Sequence, residues 1–286
     1  MQTIKRTILR YREGGARTSD DTILTEATLE IVVNGVPWAA LMCTPGSDED
    51  LALGFCLTEG LMTPYETYGV EGRESMPDGS RLHLVISGGA ERVHAALSGR
   101  GMRTGASCCG NRSATRAEDL IRIIPAVSDD YRISPGQLHQ LQMESEACQA
   151  LFDSTGATHF CALYDAENSM LAYAEDVGRH NALDKAAGQA FRLGRLQRAR
   201  LVLLSSRLSF EMVQKSIALG AQVVAGFSAV TSRAVALAES SGVTLVGFLR
   251  SPRLNIYTHP VRLGYESPGV SLHHVDMSKY FPGLSS

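Results

Sequence analysis

From His159 onward the chain alternates short apolar runs with amphipathic stretches about ten residues long, and this rhythm restricts the fold more than any other feature. Strand-length runs lie at His159 to Tyr164, Met170 to Ala174, Leu201 to Leu204, Gln222 to Ala225 and Thr244 to Phe248. Helical patterns fall between the later ones, at about Asn181 to Leu193, Ser209 to Leu219 and Ser232 to Ser240. A helix between two strands returns the chain to the start of the sheet, so the strands are expected to be parallel, with helices on both faces. Residues 131–286 therefore read as an α/β domain.

The first part, residues 1–130, has a different texture and reads as a subdomain or as the edge of the same sheet. Residues 1–20 are polar and basic with little periodicity, the pattern of a partly ordered arm. Leu29 to Met42 makes two strand-like runs around Asn34-Gly35, a pair that favours a tight hairpin turn. Ser47, with an acidic residue three positions on, is expected to cap a helix running to about Glu59. Residues 70–80 read as a polar loop, Arg81 to Ser87 as a strand, and Ser134-Pro135 as the start of a long helix through Leu138, Leu141, Ala147 and Leu151.

Composition narrows the function classes. Basic and acidic residues nearly cancel, 27 against 30, for a net charge of −3, so the chain lacks the positive excess of a general nucleic-acid binder. No apolar run approaches the roughly 20 residues of a membrane helix, and the basic start has no apolar stretch behind it, so a cytoplasmic address is expected. Cys43, Cys56, Cys148 and Cys161 sit singly among apolar neighbours, as buried free thiols do in a reducing compartment. Only Cys108 and Cys109 cluster, among small residues and between Arg103 and Arg112, where a thiolate is favoured. Adjacent cysteines without a second Cys/His pair do not make a structural zinc site, and no metal ligands are assigned.

The densest polar stretch runs from Glu175 through Asp176, Arg179, His180 and Asn181 to Lys185, between a strand and a helix, where open α/β sheets carry ligand groups. Taken alone, it reads equally well as a capped helix with a solvated charged face. Loops after later strands hold Arg207, Ser228, Arg250 and Arg253. Loops following parallel strands open on one edge, so one crevice is expected to gather Arg179, His180, Arg207, Ser228, Arg250 and Arg253 around a polyanionic small molecule such as a nucleotide diphosphate. The chain has no G-x-x-x-x-G-K-[ST], G-x-G-x-x-G or G-x-S-x-G motif and no zinc deaminase signature, which removes kinase, dehydrogenase and hydrolase readings.

Five blocks together resemble the FdhD family of formate dehydrogenase accessory proteins: Asp50 to Gly60, Ser154 to His159, Glu175 to Lys185, Ser209 to Lys215 and Asn255 to Thr258. The resemblance implies a three-layer α/β/α sheet similar to cytidine deaminase, without the deaminase zinc residues. It also implies a sulfur carrier, or sulfurtransferase, with a persulfide intermediate. A cysteine desulfurase would load sulfur onto a loop cysteine, and the sulfur would pass to the molybdenum of a bis-molybdopterin guanine dinucleotide cofactor destined for formate dehydrogenase. The family's guanine dinucleotide segment matches Phe248, Leu249, Arg250, Ser251, Pro252 and Arg253 here, and a homodimer is implied.

The cysteines depart from the pattern. The family loop has two thiols separated by two residues, whereas Cys108 and Cys109 are adjacent, with Asn111 or Ala106 at the other family position according to the alignment. Adjacent cysteines close a disulfide only with strained geometry, which counts against a two-thiol relay but leaves a single persulfide carrier, with Cys108 slightly preferred. The displaced motif favours a rival, a chaperone that holds and delivers the cofactor without carrying sulfur. A general nucleotide-binding protein is the third reading.

Overall fold

The computed structural model describes residues 1–87, 103–105 and 127–266. The N-terminal stretch is ordered rather than a loose arm: β1 (Thr3–Arg12) and β2 (Gly15–Leu24) pair antiparallel from Thr3↔Leu24 to Arg12↔Gly15. Its sequence hides this because the ribbon has no continuous apolar face; the turn is made by Glu13 and Gly14, with Gly14 and the first residue of β2, Gly15, both at positive φ. β3 (Ala27–Val33) and β4 (Val36–Cys43) form the expected hairpin, with Asn34 at φ 49 and Gly35 at φ 78.

The helix expected after Ser47 is α1 (Asp48–Thr58), but its start differs from the capping box read in the sequence. Ser47 sits at φ 57 and its side chain makes no cap; three acidic residues in the first turn face the helix dipole instead. Residues 70–80, expected as a loop, belong to β5 (Tyr68–Met76) and β6 (Gly79–Ile86), which turn around Pro77-Asp78. With β7 (Arg103–Gly105) these strands make a five-stranded sheet in the order β5-β6-β3-β4-β7.

The expected long helix after Ser134 is divided. α2 (Pro135–Glu146) opens with a capping box between Ser134 and Gln137, and α3 (Ala150–Thr155) starts afresh. The restart is tertiary in origin: the Glu175 carboxylate accepts the Leu151 and Phe152 N–H groups at 2.9 and 2.8 Å, serving as a cap from a distant strand.

Beyond it come β8 (His159–Tyr164), β9 (Met170–Asp176), α4 (Arg179–Arg192), β10 (Leu201–Leu204), α5 (Phe210–Ala218), β11 (Val223–Gly226), α6 (Ser232–Ser240), β12 (Thr244–Arg250) and β13 (Arg253–Thr258). The sheet order is β13-β12-β11-β10-β8-β9. β10, β11 and β12 are parallel as expected, while β8 and β13 run antiparallel to their neighbours, so the sheet is mixed. The stretch from Phe248 to His259, read as a loop, is largely the β12–β13 hairpin.

The α/β class holds, with helices on both faces of the six-stranded sheet. One apolar cluster joins alternate strand residues such as Val202, Val224 and Leu245 to α4, α5 and α6, and continues through α1 into the five-stranded sheet at Leu29, Ile31 and Leu82. The other packs Leu138 and Leu141 of α2 against Leu201, Leu203, Val223 and Val246. Helices α1 and α4 cross at backbone distance: a Cβ on Gly54 would stand 1.7 Å from the Asp184 carbonyl oxygen, and one on Gly188 would stand 1.8 Å from that of Asp50. Among the described residues no helix is long and apolar enough to cross a membrane.

Candidate functional site

Because β8 is antiparallel to both β9 and β10, the carboxyl ends of β9, β10, β11 and β12 share one edge with the start of β8. With strands about 4.8 Å apart, the four intervals from β9 to β12 span about 19 Å. The loops along this edge are stitched together by their backbones. Leu208 N–H donates to Ala229 O and Thr231 N–H to Leu208 O, at 2.9 and 3.0 Å, and Phe248 N–H donates to Ser228 O at 3.0 Å. Such a rim is organised before any ligand arrives.

One end of the rim is cationic. Arg179 and His180 open α4, Arg207 is exposed in the loop after β10, and His180 Nε2 lies 2.9 Å from a Glu211 carboxylate oxygen. His159, which sequence reasoning passed over, sits among them: β8 pairs it with Asp176, and Phe160 N–H binds Ser205 Oγ at 2.8 Å, which draws the Arg207 loop alongside. Its imidazole is pushed below the ordinary value of 6.5 by burial first, then by Arg179, His180 and Arg207, with Asp176 opposing. A histidine at the first residue of a strand, in register with an acid at the end of the next, was the signal available. Arg179, His180 and Arg207 are thus brought together, as expected.

At the other end, Arg250 Nε donates to Phe227 O at 3.2 Å, and Phe248 is exposed at φ 50, a conformation few side-chain-bearing residues adopt. Ser251, Pro252 and Arg253 are exposed at the β12–β13 tip, where Ser251 N–H meets Gln142 Oε1 at 3.2 Å. Leu249 points the other way, into the apolar cluster under the sheet, because strand side chains alternate. Ser228 lies beside Phe248 through its carbonyl. A non-glycine residue held at positive φ with its ring in solvent is an arrangement often found at ligand sites.

Beneath the cationic end lies a buried polar network that composition could not disclose. The Asp176 carboxylate receives four donors: Gly178 N–H and Asn181 Nδ2 at 2.9 Å each, Thr44 N–H at 3.0 Å and Lys185 Nζ at 2.7 Å. Lys185 also donates to Thr44 O, Asn181 to Met42 O, and Val177 N–H to Thr44 Oγ1. A second buried pair joins α5, α4 and α1: Lys215 Nζ binds both oxygens of Asp184 and the Thr58 hydroxyl, which itself donates to Asp184. The only sequence hint was lysine and aspartate on otherwise apolar helix faces, at 184, 185 and 215.

The four single cysteines are unsuited to nucleophilic work. Cys43, Cys56 and Cys161 are buried and Cys148 is half-buried. Burial, helped by Asp176 at Cys43 and by Asp184 at Cys56, pushes both thiols up to about 12, and burial raises Cys161 and Cys148 as well. Cys108 and Cys109 lie outside the described residues. Their nearest described anchor is β7, whose Gly105 pairs with Leu41 on β4, next to the Met42–Thr44 stretch that the Asp176 network holds.

A family model described as the FdhD/NarQ family matches residues 24–264. The sequence is 39% identical over 274 residues to the sulfur carrier protein FdhD of Mycolicibacterium paratuberculosis, covering 92% of this chain and 99% of that one. It is 38% identical over 270 residues to the sulfur carrier protein FdhD of Streptomyces avermitilis, covering 91% and 95%. Among solved structures, one from Desulfotalea psychrophila, assigned as a formate dehydrogenase accessory protein, superposes with a TM-score of 0.72 at 23% identity, covering 92% of this chain and 100% of that one.

Proposed function

The chain belongs to the FdhD/NarQ family, and from that premise we propose that it is a sulfur carrier for formate dehydrogenase, accepting persulfide sulfur from a cysteine desulfurase and passing it to a bis-molybdopterin guanine dinucleotide cofactor. One observation supports the reading: the buried carboxylate of Asp176 ties the turn before Arg179 to Thr44, at the end of β4, and β4 is the strand that pairs with β7, three residues before Cys108. Cys108 follows Gly105, the last residue of β7, by three positions in the sequence.

The chemistry needs one reactive thiol and one polyanion site. The Cys108 thiolate, or that of Cys109, attacks the terminal sulfur of the desulfurase persulfide; a new sulfur–sulfur bond forms, the old one breaks, and the desulfurase leaves as its thiolate, with no net oxidation. The raised thiols of the other four cysteines direct this step to the pair. The cofactor is the substrate of the second step, in which the sulfur–sulfur bond breaks, the cysteine leaves as its thiolate and the two electrons that reduce the sulfur come from the metal of the reduced cofactor. Arg179, His180 and Arg207 offer charge-assisted hydrogen bonds to one part of it, and Phe248, Arg250, Ser251, Pro252, Arg253 and the Ser228 backbone offer contacts to another. A rim of about 19 Å suits an extended ligand with several phosphates better than a single phosphate.

The test is sulfur-35 transfer from a cysteine desulfurase to Cys108→Ala, Cys109→Ala and the double variant. The expected result is loss of labelling in the double variant and a gain of about 32 Da on one of the two thiols of the parent chain. Undiminished labelling of the double variant would end the carrier reading; calorimetry with GDP against ADP then separates a cofactor chaperone, which prefers guanine, from a general nucleotide binder.

A further inference from the structure

We propose that Asp176, Asn181, Lys185 and Thr44 form a latch that fixes the root of the cysteine-bearing segment against the cationic rim, making them positioning residues for the passage of sulfur into the crevice. The inference rests on the carrier reading and adds the device that sets its geometry. Four hydrogen bonds join the end of β4 to the β9–α4 segment here, and all of them involve Met42 or Thr44: Thr44 N–H to Asp176 at 3.0 Å, Lys185 Nζ to Thr44 O at 2.7 Å, Asn181 Nδ2 to Met42 O at 2.8 Å and Val177 N–H to Thr44 Oγ1 at 3.0 Å.

These residues extend β4 just past Leu41, the partner of Gly105 at the end of β7. The other end of the latch is the turn that carries Arg179 and His180. One cluster therefore touches the roots of both functional elements. Cohesion alone does not require it, because α1 and α4 already join the two halves through the Gly54–Gly188 crossing and a shared apolar core. An ion pair with both side chains at 3% exposure or less is a costly way to add adhesion, since well-packed apolar residues do as well. What the four-donor carboxylate adds is direction: it admits one register of β4 against the turn.

The latch is tested in the full chain with Thr44→Val and Thr44→Ser. Valine keeps the volume and removes the acceptor for Val177 N–H; serine keeps the acceptor and removes a methyl. Hydrogen exchange followed by mass spectrometry is expected to quicken at least tenfold in peptides covering 39–44 and 103–105 of the valine variant and less than twofold in the serine variant, with 201–204 unchanged in both. Thr44→Val should accept sulfur within twofold of the parent rate but pass it to the cofactor at least tenfold more slowly in a single turnover, while Thr44→Ser stays within twofold in both steps. Unchanged exchange in the valine variant, equal slowing in both variants, or quickened exchange with an unchanged passage rate would each overturn the latch. If the parent chain accepts no sulfur, the carrier reading falls, and the exchange result still decides whether the two roots are coupled. Should Thr44→Val fail to fold, Asn181→Ala, which leaves the Asp176–Lys185 pair intact, is measured in the same way.

Discussion

Replacing Lys215 by methionine removes a buried cation while keeping most of its stem. In the parent chain the ammonium lies 3.0 and 2.8 Å from the two Asp184 oxygens, 2.7 Å from Thr58 Oγ1 and 3.3 Å from Glu59, with the Phe55 ring centroid at 5.0 Å. Burial pushes Lys215 toward the neutral amine, but Asp184 and Glu59 outweigh it and hold its pKa above 10.5. Burial raises Asp184 above 3.8 against the lowering pull of Lys215 and Thr58. With Lys215 gone, the Thr58 hydroxyl still donates to Asp184.

Leaving one member of a buried pair without its partner costs about 3–5 kcal/mol. At about 2–4 °C per kcal/mol, the midpoint of thermal unfolding should fall by roughly 6–20 °C at pH 8. The deficit should depend on pH with a defined sign. A carboxyl whose folded pKa lies above its unfolded value binds a proton in the fold first, so its penalty is present at high pH and lifted as pH falls through the folded pKa. Removing Lys215 raises that folded pKa further, and each unit between pH 8 and 5 over which Asp184 is protonated only in the fold returns about 1.4 kcal/mol. Urea unfolding of parent and variant at pH 8 and pH 5 measures both quantities. A deficit below about 1 kcal/mol at pH 8, or one that grows on acidification, would refute the assignment of Asp184–Lys215 as a dry ion pair.

Other consequences are as direct. Gly54→Ala or Gly188→Ala must separate α1 from α4, since the added methyl would meet a carbonyl oxygen at under 2 Å; each should cost about 3 kcal/mol or more and appear as lost soluble yield or a lowered melting point. Arg207→Ala, on an exposed residue, should leave the melting point unchanged and weaken GDP binding by about tenfold or more in calorimetry, the scale of a lost charge-assisted hydrogen bond. GDP affinity should rise from pH 8 to pH 6, because an anion among Arg179, His180 and Arg207 favours the protonated form of His159 against burial, with Asp176 and Glu211 as the facing acids; calorimetry in buffers of different ionisation enthalpy should register proton uptake, and its absence would remove His159 from the site. Brief iodoacetamide treatment of the native chain at pH 8 should alkylate Cys108 and Cys109 and spare Cys43, Cys56 and Cys161, as read by peptide mass spectrometry.

Local chemistry was legible in the sequence wherever it was self-sufficient. Asn34-Gly35 specifies its hairpin because both residues tolerate positive φ, Ser134-Pro135 opens α2 through its own capping box, and the apolar rhythm after His159 gives the parallel strands and the shared edge of their loops. That edge is what allowed Arg179, His180 and Arg207 to be grouped before any coordinates. The polar β1–β2 ribbon and β5 escaped because strands without a buried face carry no alternation, and the break between α2 and α3 escaped because its cap comes from Glu175, more than twenty residues away.

The buried network was beyond reach for the same reason. Asp176, Lys185, Thr44, Asp184, Lys215 and Thr58 are ordinary polar residues in one dimension, and although Asp176 has near neighbours among its donors, each network is completed by a partner more than a hundred residues away, Thr44 for Asp176 and Lys185, and Thr58 for Asp184 and Lys215. Sequence by itself determined which segments become strands and helices and which side chains stand at the strand ends, because hydrogen-bond periodicity and turn chemistry are local. Only the tertiary structure decided that the turn before Arg179 and the end of β4, the strand beside β7, share one carboxylate, because a buried charge is acceptable only where the fold brings every one of its donors to it.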